Sequence, residues 1–194
     1  MVIKLVRYRV LFAVSAIVAG VLFLSSCSNT SSSKEPTKTS QALALAYAGC
    51  VVGEMDDTKD YSLANLWVFR EDSILGGLED YLSSQGVTWT TKFQKGVTQD
   101  IQYWNYAVQA FSTAATLDPH WSVLNTLLNS AIESKKKDWI KTHDVLKSEL
   151  ADSGQYSQIT GICKAVSVEV FSQAKSAKVS PQSWVKSIAS QYLP

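Results

Sequence analysis

The sequence predicts an all-α protein: a compact bundle of about five to seven helices, mostly antiparallel neighbours, behind a disordered N-terminal tether. Three observations carry this. Apolar residues in the C-terminal three-quarters recur at steps of three and four, most continuously at Ile101, Trp104, Val108, Phe111 and Ala115, the spacing of one helix face. A capping residue stands directly before proline at Asp118-Pro119 and at Ser180-Pro181. That pairing starts helices, because the side-chain oxygen accepts a free backbone N–H and proline has none to lose in the first turn. Only one stretch, Val87-Thr88-Trp89-Thr90-Thr91, has strand character, and it is too short and solitary to build a sheet.

Taken in order, the chain opens with Lys4, Arg7 and Arg9, an uncharged run from Val10 to Leu24, and then Ser25, Ser26 and Cys27. A positive start, an apolar run and small residues make a secretory signal. The run falls short of the roughly 20 residues of a comfortable membrane span, and no positive cluster follows it. The tetrad Leu24-Ser25-Ser26-Cys27 resembles the lipobox of bacterial lipoproteins. The resemblance implies diacylglycerol on the Cys27 sulfur, cleavage just before it, and a protein held by lipid on the extracytoplasmic face of the cell membrane. The alternative is an uncleaved single-pass anchor with Cys27 an ordinary cysteine. Residues 28–39 are polar and small with one proline; they read as a flexible tether of roughly 40 Å at most. The organisation is then a signal peptide over 1–26, lipidated Cys27 and tether over 27–39, and a helical domain over 40–194.

Within that domain, Gln41–Gly53 carries Leu43, Ala46, Tyr47 and Cys50 at helical spacing, and residues 54–60 are a polar break. Residues 61–85 form a helix through Leu66, Val68, Phe69, Ile74, Leu78, Tyr81 and Leu82 that Gly86 stops, with Gly76-Gly77 a point of weakness. Val87–Gly96 reads as an extended connector. The stripe of Ile101 to Ala115 follows and ends at Leu117-Asp118-Pro119. The next helix buries Trp121, Leu124, Leu128 and Ala131 and ends at Lys135-Lys136-Lys137, cations suited to the negative end of the helix dipole. Asp138 then caps a helix carrying Trp139, His143, Leu146 and Leu150, which Gly154 closes. The last long helix, from about Ser157 to Ala177, carries Ile159, Ile162, Cys163, Val166 and Val170. Ser180-Pro181 starts a short terminal helix with Trp184, Ile188 and Tyr192.

Charge narrows the partners. The chain has 18 basic and 17 acidic residues; taking away Lys4, Arg7 and Arg9 leaves 15 basic, near −2 for the mature protein. That balance argues against nucleic acid, which asks for a basic face. Arg70 is the one arginine left, so bidentate phosphate clamps are scarce. Cys50 and Cys163 remain after Cys27. Outside the cytoplasm such a pair is a disulfide candidate; otherwise both are buried thiols acting as small apolar groups.

Other motifs point less sharply. Ala107, Phe111, Ala114 and Pro119 match the second half of a tetratricopeptide repeat, but Thr91, Gln94, Lys95 and Thr98 miss the first half. His120 and His143, with Asp118, Asp138 or Asp144, supply the residue types of an acid–base or metal site, yet 23 residues separate them; satisfied structural histidines are the simpler reading. Glu54, Asp56, Asp57 and Asp60 form an acidic loop without the alternation and glycine of an EF-hand. Neither Gly-x-Ser-x-Gly nor His-Glu-x-x-His nor Cys-x-x-Cys occurs, so no catalytic residue, metal ligand or cofactor is assigned. Most of the six tryptophans fall on helix stripes; Trp67 and Trp89, next to loops, are the candidates for exposed contact residues. Lys135–Lys137 read as a solvated helix end before a lipid contact.

Leu117, Asp118, Pro119 and Trp121, behind a lipobox and tether, are similar to small helical lipoproteins of Gram-positive, actinobacterial-type bacteria, a resemblance that implies no activity. The expected function is a lipid-anchored extracytoplasmic binding or interaction module, its partner an envelope protein or small molecule. The alternatives are a cell-envelope enzyme or metal-dependent protein using His120 or His143 with nearby aspartates, and a surface-exclusion or immunity lipoprotein.

Overall fold

The computed structural model describes residues 35–53, 55, 78–87, 91–143, 150 and 153–192, with the backbone alone for 91–99. Among the described residues the protein is all α: six α-helices and one 3₁₀ turn, with no strand. They pack around one apolar core to which every helix contributes.

Helix α1 (Lys38–Val52) starts where Thr37 Oγ1 accepts the Ser40 N–H at 3.2 Å, so this helix begins inside the stretch read as tether. Every residue from Gln41 to Val52 is buried. The sequence suggests a single apolar face through Leu43, Ala46, Tyr47 and Cys50; the run Gln41-Ala-Leu-Ala-Leu-Ala-Tyr-Ala-Gly-Cys-Val-Val52 is instead covered on all sides. A helix apolar all round belongs at the centre of a bundle, and α1 packs against three others, α3, α5 and α6.

Helix α2 (Leu78–Ser84) ends as expected at Gly86, whose φ is +80°. The Val87 N–H reaches the Leu82 carbonyl at 3.0 Å and the Gly86 N–H reaches Ser83 at 3.0 Å. This paired closure needs a left-handed residue at the glycine position, and it places Leu82 and Val87 in the core.

Helix α3 (Thr91–Leu117) is longer than the sequence suggests. Thr91–Gly96, assigned above to an extended connector, is helical: β-branched residues carry only a weak strand preference, and the tertiary context overrides it. The core stripe also shifts. Ile101, Trp104 and Phe111 are buried as expected, but the alanines Ala107, Ala110 and Ala114 are fully buried with them, while Val108 and Ala115 are half-buried.

Asp118 caps a 3₁₀ turn (Pro119–Trp121), its Oδ1 accepting the His120 N–H at 3.0 Å. The turn runs directly into α4 (Ser122–Thr142). No helix end occurs at Lys135–Lys137 and Asp138 caps nothing: α4 continues through them. The apolar stripe Leu124, Leu128, Ala131, Ile132 extends unbroken to Trp139, and buried Lys135 lays its aliphatic stem along it. Lys136 turns outward to Glu133, 2.6 Å away. The helix stops instead at His143, which takes a left-handed conformation with φ 53°. Trp104 and Trp139 stack with ring centroids 6.4 Å apart, which fixes α3 and α4 as an antiparallel hairpin.

Helix α5 (Gly154–Ser176) begins at Gly154, the residue assigned above to closing the previous helix. Ser153 is its cap, with Oγ accepting the Tyr156 N–H at 3.1 Å. At its other end Lys178 (φ 58°) stands where glycine is usual, and the Val179 N–H closes on the Ala174 carbonyl at 3.1 Å. Helix α6 (Pro181–Ala189) follows, capped by Ser180 as the sequence suggests. It buries Val185, Ile188 and Ala189, while Trp184 and Tyr192 pack half-buried against the core.

Candidate functional site

The chemistry the structure assembles most definitely is covalent. Cys50 on α1 and Cys163 on α5 form a disulfide, their Cα atoms 5.6 Å apart and both residues fully buried. This settles the choice between a bridge and two free thiols. Ten residues before Cys50, Ser40 Oγ donates to Gln173 Oε1, ten residues after Cys163, at 3.2 Å. Equal steps in opposite directions make α1 and α5 antiparallel, with the bridge joining the last turn of α1 to the middle of α5. On the other side of α1, Gly49 and Gly53 face Phe111, Ala110 and Ala107 of α3. A Cβ added at Gly49 would stand 2.6 Å from Phe111 Cε1 and 3.1 Å from Ala110 Cβ. The glycines let the two backbones approach closely there.

The two histidines do not share a site. His120 is exposed in the 3₁₀ turn, its ring edge-on to Trp121 with centroids 5.3 Å apart. His143 ends α4, and its Nδ1 hydrogen-bonds the Gly86 carbonyl at 2.9 Å, tying α4 to the end of α2. Helix α4 separates them by about 30 Å at 1.5 Å rise per residue. Asp118, the acid nearest His120, holds a backbone N–H through its Oδ1, and Asp138 is exposed partway along α4. Among the described residues, no three His, Cys, Asp or Glu side chains gather where a metal ion could be held. Cys27, Trp67, Trp89, Glu54, Asp56, Asp57, Asp60 and Asp144 lie outside the described residues. Among the described residues, the one displaced titration is that of Tyr106, whose phenol burial pushes above its usual range.

The tryptophans of the helix stripes behave as the spacing suggests. Trp104 and Trp139 are buried, and Trp121 and Trp184 are half-buried against the core. What the sequence reading passed over is on the outside of α5. Val168 is 71% exposed and Phe171 45%. With Lys164 and Lys175, both exposed, they recur at i, i+4, i+7 and i+11, one line along the helix. Lys178 and Val179 continue it past the helix end, and Val179 is exposed too. The signal was available: Val168 and Phe171 are large apolar residues of this helix that lie outside the stripe Ile159, Ile162, Cys163, Val166 and Val170.

Among the described residues, fold and site together define a disulfide-locked helical bundle with a lysine-flanked apolar line on the outside of α5. No family model matches the chain, and neither the curated proteins nor the solved structures include a match to it. Among the described residues, no helix is long and apolar enough to cross a membrane.

Proposed function

We propose that the protein is a lipid-anchored module on the extracytoplasmic face of the cell membrane, held by diacylglycerol on Cys27, whose helical domain binds an envelope protein or a small molecule. The observation that carries this reading is the Cys50–Cys163 disulfide. Structural disulfides persist in oxidising compartments and are rare in the reducing cytosol. The bridge therefore supports export, and export is what the charged start, apolar run and Leu24-Ser25-Ser26-Cys27 tetrad provide for. Two acyl chains on one cysteine anchor stably where a single chain is marginal.

The test is intact-mass analysis of the full chain expressed in a bacterial host, with and without Cys27→Ser. The expected product begins at Cys27, carries acyl mass and shows no alkylatable thiol before reduction, while the variant keeps residues 1–26. A wild-type chain that retains 1–26 without acyl mass, or whose Cys50 and Cys163 alkylate in the native protein, overturns the reading.

A further inference from the structure

We infer that the outward face of the C-terminal half of α5, continued by Lys178 and Val179, is a contact surface for anionic phospholipid, and that it seats the domain on the membrane holding its own anchor. The inference rests on the lipid-anchored reading proposed above.

Three features point there. The first is composition. Lys164, Val168, Phe171 and Lys175 form one exposed line, with Lys178 and Val179 beyond it. Apolar side chains flanked by lysines are the surface that lies in a headgroup layer, the apolar groups entering it and the ammonium groups meeting phosphates. The second is charge. The one acid of α5, Glu169, is one residue from Val168, and its Oε1 accepts the Gln173 side-chain N–H at 3.0 Å, on the flank away from Phe171. The third is where the chain leaves the bundle. Helix α1 begins at Thr37–Lys38, and Ser40 is hydrogen-bonded to Gln173 of α5. The end of the bundle nearest the anchor is therefore also the C-terminal end of α5, carrying Lys38, Lys175 and Lys178. From Cys27 to Thr37 the chain spans at most about 35 Å, so a lipid on Cys27 keeps this face within reach of the bilayer. At that range a contact too weak to recruit a free protein becomes well populated.

The test uses the full acylated chain reconstituted into vesicles of phosphatidylcholine alone or mixed with phosphatidylglycerol. An environment-sensitive thiol dye is placed at Val168→Cys or, as the remote control, at Tyr81→Cys on α2, and brominated lipid is the quencher. Preferential quenching at Val168 on the phosphatidylglycerol vesicles is expected. Lys164→Glu, Lys175→Glu and Lys178→Glu together are expected to abolish it. Each lysine near an anionic surface accounts for about a fivefold factor in occupancy, on the order of a hundredfold for three. An unchanged circular dichroism spectrum shows that the triple variant is folded. Acylated chain that floats with the vesicles but quenches equally at both dye positions overturns the contact surface and leaves the anchor standing. Equal quenching on neutral vesicles overturns the requirement for anionic lipid. A chain that carries no acyl mass overturns the anchored reading, and this inference with it.

Discussion

Helices α1 and α5 lie antiparallel and share a disulfide, yet they meet their surroundings in opposite ways. From Gln41 to Val52, α1 touches protein on all sides; α5 buries one stripe and leaves Val168 71% exposed. The difference shows in how each sequence constrains substitution. On α1 even a hydrogen atom is a packing decision, because Gly49 and Gly53 sit where α3 comes closest. On α5 the outer positions are released from packing, and what they carry is free to serve a partner.

The most severe way to test this contrast is to cut the link between the two helices. Replacing Cys50 and Cys163 by alanine is expected to lower the unfolding free energy by about 4–5 kcal/mol, since the bridge closes a loop with a sequence separation of 113 residues. Urea unfolding of the oxidised wild type against the double variant measures it. Within α1, Leu45→Ala removes a fully buried side chain and is expected to cost about 3 kcal/mol in the same assay. Gly49→Ala adds a single carbon against Phe111 and should cost about 1–3 kcal/mol by overpacking; a neutral result would show that α1 and α3 are looser than described. At the end of α5 the sign reverses. Lys178→Gly relieves a left-handed residue and is expected to stabilise by about 1 kcal/mol, read as a raised thermal midpoint. Val168→Ser on the outer face should shift stability by less than about 0.5 kcal/mol. A larger loss there than at Gly49 would erase the distinction between the two helices.

The same contrast explains which parts of the fold were legible in the sequence. Amphipathic helices announce themselves, because a stripe such as Ile101, Trp104 and Phe111 exists only where one side meets water. Proline after a capping residue marked the starts near Asp118 and Ser180 correctly, and an even pair of cysteines pointed to the bridge. Helix α1 has no wet side over its buried run, so a search for a stripe found one where the packing has none. Lys135–Lys137 looked like a helix end because charge clusters usually sit at termini. Lysine is also a good helix former, and the stripe running past it to Trp139 was the stronger signal. The 23 residues between the histidines already kept them off one helix face, and the structure places His120 in the 3₁₀ turn before α4 and His143 just past its last turn. The outer face of α5 went unnoticed because apolar residues at helical spacing are ordinarily taken as core.

The bridge from the last turn of α1 to the middle of α5 also sets a load path. Tension applied between the residues upstream of Thr37 and those downstream of Ser176 travels up α1 to Cys50, crosses to Cys163 and leaves along α5. The 112 residues between the two cysteines hang from that crossing as a side loop that carries none of the covalent strain. Pulling can draw out the residues before Cys50 and after Cys163, but it cannot lengthen the loop between them. A domain built this way keeps α3, α4 and the seam between them out of the covalent line of force, whatever tugs at its two ends.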